Sequence, residues 1–316
     1  MSVSNFPNGF PGGVLIRGLP IAITHPGEVF WVNGSTVAGK GASVGSDTGK
    51  GTFKQPFATI DYAIGRCTAS RGDIIMVMPG HAETISAAAG IVFDVAGVAL
   101  VGLGTGSLKP TITLDTATST DIDVTAANVS ISNVRVVSGI ANLVHGIQVT
   151  GAECAIENSE FRASVAATAI LTSVITTATA YGFRFVNNVI NMESSIAGLA
   201  VTDVAASGVE NLADNAVISN NSIMGNFSVA GIYGQTTATE GVQINDNNIY
   251  NVSTSAAAGA VSLVANSSGT CYRNHATVLE TSAITGLFIN ANLGMSENYA
   301  VNVVTETAGL VHTAST

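Results

Sequence analysis

Charge is scarce in this sequence. Of 316 residues only 10% are Asp, Glu, Lys or Arg, and 11 basic residues face 21 acidic ones for a formal net charge of −10. A nucleic-acid groove needs clustered Lys and Arg, and between positions 163 and 272 Arg184 is the single basic residue. Nucleic acid is therefore excluded as a partner. Helical bundles and coiled coils draw on Glu, Lys, Leu and Arg, so the same shortage argues against both. Disorder is excluded from the other side, because 47% of the chain is hydrophobic.

Aromatics make up only 6% and Pro is limited to 7 residues, whereas Gly reaches 34. The three cysteines, Cys67, Cys154 and Cys271, are odd in number and far apart, which signals neither a disulfide framework nor a zinc site. They read as small buried hydrophobes. No apolar run approaches the ~20 residues of a membrane span, so no membrane is expected. The start, MSVSNFPNGFPGG, lacks a basic stretch leading into an apolar one, so no secretory signal is expected and the protein is made in the cytoplasm.

What the chain has is a repeat. The frame apolar–x–Asn–x–x–apolar recurs as Ile131–Val136, Ile156–Phe161, Phe185–Ile190, Ile218–Ile223 and Ile244–Ile249. Weaker copies follow at Cys271–Ala276 and Met295–Ala300, and Leu100 fits the first half of the frame. The first apolar positions are spaced by 31, 25, 29, 33, 26, 27 and 24 residues, close to 28 on average. That period suits one coil of a parallel β-solenoid. Alternation at Val129 and Ile131, and at Val242 and Ile244, turns every second side chain inward. The excess length, largest between 185 and 218, is expected in loops leaving one face. Eight or nine coils at ~4.8 Å make a rod of roughly 40 Å.

Asn suits the bend because it tolerates left-handed backbone angles. Its side-chain amides are also expected to bond along the stack as a structural ladder. The ladder residues are Asn133, Asn158, Asn187, Asn220, Asp246, Asn274 and Asn298, and the position after the bend is Asn in most coils.

Ahead of the coils, Pro56, Phe57, Ile60, Ala63 and Ile64 form one apolar stripe at helical spacing, with Gly65 as its stop. A solenoid exposes its interior at each end, so this short helix is the expected lid. The organisation follows: 1–50 an extended N-terminal arm and connector, 51–80 the capping helix and first strand, 81–300 the coils, and 301–316 a C-terminal end segment. In the arm, Phe6, Phe10, Val14, Ile16, Phe30 and Trp31 are the candidate partner-binding residues, because exposed apolar side chains need a surface to cover them. Residues 34–51, rich in Gly, Ser and Lys, read as a flexible connector.

The run Gly51–x4–Pro56-Phe57–x–Thr59-Ile60–x2–Ala63-Ile64, followed by Gly72-Asp73 and Pro79-Gly80, resembles the lead-in of the pectate-lyase-like right-handed β-helix superfamily. With the coils behind it, the likeness covers about residues 50–300. The arm and lead-in are also similar to β-helix proteins of tailed bacteriophages. The resemblance implies an all-β fold, a single-stranded right-handed parallel β-helix, and a virion location. It implies a structural role, either capsid decoration on the major capsid protein or another virion protein, as a homotrimer. The alternative is a tail spike or adhesin that binds or cleaves a surface polysaccharide.

Catalytic signals are thin. Enzymes of the superfamily use carboxylates projecting from one sheet, with calcium and a basic residue in lyases. Asp121 and Asp123 share a strand face with Asp115 nearby, Glu153, Glu157 and Glu160 flank one coil with Arg162, and Arg135 and Arg184 point outward. None falls into a repeated acidic trio, so solvated outer faces are the expectation and no catalytic residue is assigned. The histidines, His25, His81, His145, His275 and His312, lack metal-ligand spacing. His81, after Pro79-Gly80, is expected to be exposed. No metal and no cofactor is expected. Tyr181, Tyr233, Tyr250 and Tyr272 are the candidates for stacking on a glycan.

Overall fold

The computed structural model describes residues 15–16, 19–20, 26–35, 43–164, 168, 170–192, 205–210, 212–234, 237–253, 259–279, 288–289 and 293–311. These residues form a parallel β-solenoid with little helix. Three sheets run along it. Sheet A has ten strands, from Val29–Val32 to Leu293–Ser296; sheet B has ten, from Ala82–Ile85 to Thr307–Val311; sheet C has eight, from Ile91–Phe93 to Phe288–Ile289. The eight coils from Ile74–Val77 to Phe288–Ile289 each contribute one strand to each sheet in turn.

The alternation seen in the sequence becomes a stack of side chains. In sheet A the inward position is Ile75, Leu100, Ile131, Ile156, Phe185, Ile218, Ile244 and Cys271 in successive strands, each paired in register with the next. All of these are buried. Sheet B stacks Ile112, Val136, Phe161, Ile190, Ile223 and Ile249 the same way. Register is rigid because a one-residue slip would turn this whole set outward.

Two bends per coil flank the sheet A strand, and both use left-handed backbone. After the strand, Asn133, Asn158, Asn187, Asn220, Asp246, Arg273 and Glu297 all have φ between +52° and +59°. The expected left-handed Asn is thus present. The amide ladder, however, stands one residue further on. Its members are Asn188, Asn221, Asn247, Asn274 and Asn298, all buried. Asn274 and Asn298, expected in the ladder, stand in it, and Asn133 Nδ2 does bond the preceding coil at the Gly102 (2.7 Å) and Gly104 (3.0 Å) carbonyls, whereas Asn158, Asn187, Asn220 and Asp246, also expected there, leave the ladder to the residue after them. The reason is geometric: the left-handed residue reverses the chain, and the residue after it is the one that faces the interior.

From Asn247 on, each inner amide closes at least three bonds to the coil before it. Asn247 Oδ1 accepts from the Asn221 backbone N–H (3.1 Å) and from Asn221 Nδ2 (2.9 Å). Asn247 Nδ2 donates to the Ile218 carbonyl at 2.8 Å. The same pattern links Asn274 to Asn247 and Ile244, and Asn298 to Asn274 and Cys271. The ladder tapers at its N-terminal end, where Ser159 Oγ accepts from Val134 N–H at 3.3 Å.

A second left-handed column precedes the strand: Ser70, Gly97, Asn128, Glu153, Gly182, Asn215 and Gly241. The N–H of each of the first six reaches a carbonyl of the next coil, as Gly182 does to Asp214 and Asn215 to Glu240. From Asn128 to Asp246 the two columns lie five residues apart in every coil (128/133, 153/158, 182/187, 215/220, 241/246). All variation in coil length therefore falls on the rest of the coil. The longest excess, 193–204, lies outside the described residues.

The N-terminal end is closed by helix α1 (Ile60–Ile64), with Thr59 as N-cap and Gly65 as C-cap. Ile60, Ala63 and Ile64 are buried, and Asp61 Oδ1 holds the N–H of Val92 in the first sheet C strand (3.1 Å). The arm ends sooner than position 50. Val29–Val32 is the first strand of sheet A, paired in parallel with Ile74–Val77. Residues 43–51 are not a loose connector either. Asp47 Oδ1 accepts from Ala58 and Thr59 N–H, and Trp31 N–H bonds Gly51 O at 2.8 Å. At the other end Thr307–Val311 turns back antiparallel on Asn298–Asn302 and closes sheet B.

Replacing Asn247 by Ala leaves the buried N–H of Asn221 without a partner and removes a second donor from the Ile218 carbonyl, at a cost of about 2 kcal/mol. Asn220→Ala only strains a left-handed residue, costing about 1 kcal/mol, and Asn220→Gly relieves that strain. Urea unfolding of the three variants checks the order; equal losses at 220 and 247 would return the ladder to the outer column.

Candidate functional site

Of the candidate arm residues only Phe30 and Trp31 have described side chains, and these face opposite ways. Phe6, Phe10 and Val14 lie outside the described residues. Ile16 belongs to a two-residue strand, Leu15–Ile16, antiparallel to Leu19–Pro20. Phe30 is a correction: it is 9% exposed, packed in the core with Phe57 at 5.9 Å between ring centroids, because strand alternation points it inward. Trp31 faces the other way, half-buried, edge-on to Phe53 at 5.1 Å.

The outer faces carry the charged groups, and these are mostly engaged. On sheet B, Glu160 lies in register with Arg135; its carboxylate accepts from Arg135 Nε at 2.8 Å and also from Arg162 Nη2. Burial pushes the Glu160 carboxyl up, but the two guanidiniums outweigh it and hold it below its ordinary value. Asp246 accepts two 2.7 Å bonds from Arg273 of the next coil, which lowers its pKa too. Lys109 donates to the Asn158 carbonyl at 2.9 Å. On sheet A, Arg184 stands 3.8 Å from Glu157, a weak exposed pair.

Sheet C holds the paired carboxylates. Asp121 and Asp123 do share a face, and Asp121 Oδ1 accepts from Ala89 N–H at 2.8 Å. Burial, then the charge of Asp121, raises the Asp123 carboxyl. His145, in the neighbouring strand, is pushed down by burial against the opposing pull of Asp121 and Glu210. Glu210 is buried and accepts from Thr172 Oγ1 at 2.7 Å. Among the described residues no group of three or more His, Cys, Asp or Glu side chains is placed to hold a metal ion.

His81 is not exposed. It is 1% accessible at the N-terminal end, where Nδ1 accepts from Gly34 N–H at 2.7 Å and Nε2 faces Glu83 Oε2 at 3.2 Å. Glu83 in turn holds the N–H of Ile60, the first residue of α1. An Nδ1 that accepts a backbone proton leaves Nε2 to carry the ring hydrogen, so the imidazole is a structural clamp. The thiols are inert as well: burial pushes Cys67 and Cys271 up to about 12.

A cleft of about 260 Å³ lies where sheet C hands over to sheet A. Three successive corners stack to form it, residues 176–178, 212–214 and 237–239. Asp214 is exposed, and its Oδ1 accepts from Glu240 N–H at 2.8 Å. Thr239 is buried; its N–H reaches Ser267 Oγ and its carbonyl accepts from Ser268 N–H, yet its own hydroxyl has no partner. No sequence motif marked these corners, since Ala and Thr are common throughout the chain.

No family model matches the chain, and neither does any curated protein sequence. Among solved structures the chain is similar to a rhamnogalacturonan lyase, with a TM-score of 0.48 and 13% identity, over 87% of this chain and 74% of the lyase chain.

The most committed carboxylate is Asp73, whose side chain is fully buried. Burial raises its pKa, but two bonds from Arg71 and one each from the Thr68 and Glu28 N–H groups bring it below the ordinary 3.8. A depressed carboxyl stabilises the fold fully above that ordinary value and loses the contribution as pH falls through the folded-state value. Wild-type protein should therefore lose stability on acidification below about pH 4. Asp73→Asn should be less stable at neutral pH by about 2 kcal/mol and show a flatter acid dependence. Denaturant midpoints measured between neutral and acid pH check both.

Proposed function

We propose that this chain is a non-catalytic structural solenoid of a virion, a capsid decoration protein held through its N-terminal segment by the major capsid protein or another virion protein. The observation that carries the non-catalytic half is the commitment of the acidic groups. Glu160, Asp246 and Asp73 are held by guanidiniums, and Asp121, Asp47 and Glu83 by backbone amides. Glu160, Asp246 and Asp73 are held below their ordinary pKa and are poor proton donors at neutral pH, where general acid chemistry asks for the opposite shift; Asp123, raised by burial and by Asp121, is the exception among the described carboxyls. The raised cysteines offer no thiolate nucleophile.

The virion half rests on the likeness of the arm and lead-in to tailed-phage β-helix proteins. A shaft whose interior is hydrogen-bonded from coil to coil suits a particle that persists outside a cell. Threefold lattice positions would suit a homotrimer.

Quantitative mass spectrometry of purified virions measures the copy number of this chain against the major capsid protein. A ratio near that of the coat protein is expected. Absence from the particle overturns the reading, and shortening of a capsular polysaccharide by the purified chain overturns its non-catalytic half.

A further inference from the structure

The cleft between stacked corners carries an inference independent of any virion role. Its volume of about 260 Å³ lies just under the ~300–1,000 Å³ of sites for drug-sized ligands, which leaves room for one ring. Leu212, Ala213, Ala178 and Ala238 supply an apolar wall. Asp214 supplies an acceptor: among the described residues only its Oδ1 is engaged, and Oδ2 is left at the rim. Thr239 supplies a buried hydroxyl with no partner.

That last feature is the pointer. Buried polar atoms in folded proteins are nearly always bonded, and an orphan calls for an explanation. Two others occur among the described residues, Ser173 Oγ and Asn191 Oδ1, but neither lines the cleft. The backbone of Thr239 is fixed by bonds to the following coil, so its side chain is carried at the cleft before any ligand arrives. A preformed donor and acceptor lowers the ordering cost of binding.

We infer that this cleft is a binding site for a single neutral sugar residue. The chemistry selects that class. An apolar wall packs against the C–H face of a pyranose, a hydroxyl that both donates and accepts meets a sugar hydroxyl, and a free carboxylate oxygen accepts a second one. Among the described residues no Lys, Arg or His lines the cleft and the one charge is negative, so a uronic acid or a phosphate is rejected.

Saturation-transfer NMR on the full chain tests it, with methyl glycosides of glucose, galactose, rhamnose and N-acetylglucosamine as probes and galacturonate as the anionic control. At least one neutral glycoside should bind, with galacturonate weaker. Thr239→Val keeps the shape and removes the hydroxyl; it should weaken binding by about tenfold or more while leaving the melting temperature unchanged or raised. Ala238→Trp, at an exposed position, should fill the cleft and abolish the transfer even if the Thr239 variant folds poorly. The inference is overturned if no neutral glycoside shows transfer, if galacturonate binds as well as they do, or if binding survives both substitutions. A water molecule satisfying Thr239 would give the first of these results.

Discussion

Everything in this solenoid depends on satisfying backbone amides where the chain bends inside the stack. A strand is satisfied by its neighbours, but a corner buried between coils has donors and acceptors pointing at nothing. The inner asparagines solve this with one residue type, because a primary amide offers both functions at once. Oδ1 takes the N–H of the corner before it, and Nδ2 reaches the carbonyl that the inward strand residue of that coil leaves behind. The solution repeats only while coils stay in register, so the amide column and the stacked Ile and Phe side chains enforce each other.

Much of this was legible in the sequence, and the misses have physical causes. The repeat announced itself because apolar residues and Asn recur at one spacing. Its ladder is expected one residue early up to Asp246 and in its true place at Asn274 and Asn298, since the most regular Asn column is the left-handed one, Asn133 to Asn220. Backbone conformation selects Asn there as strongly as burial selects it at 188 and 221. The second bend went unseen because Ser70, Gly97, Asn128, Glu153 and Gly182 share a conformation but no side-chain chemistry. Phe30, Trp31 and His81 were read as surface residues for want of the strand pairing and helix that cover or half-cover them. The cleft could not be read at all: its residues are separated by more than twenty positions and meet only when the coils stack.

Charge is distributed in keeping with this architecture. Several of the few ionic groups are paired across adjacent coils, as Arg135 with Glu160 and Asp246 with Arg273, or locally in sequence, as Arg71 with Asp73. A pair as exposed as Asp246–Arg273 contributes little energy. The effect of pairs between coils is on alignment, since a coil displaced by one residue would bring unlike partners together. The acidic surplus remains on the outer surface, where it keeps shafts apart in solution.

The constant five-residue interval between the two left-handed columns has an evolutionary reading. Such a chain can lengthen or shorten only in certain quanta. Duplicating or deleting one complete coil, cut at equivalent bends, rejoins strand to strand with every inward side chain still inward. Adding residues at either corner flanking sheet C changes only what that coil displays. A single insertion between the columns does neither, because it inverts the strand. The molecule is thus open to change along its axis and at the two corners flanking sheet C, and closed to it along the edge that the asparagines guard.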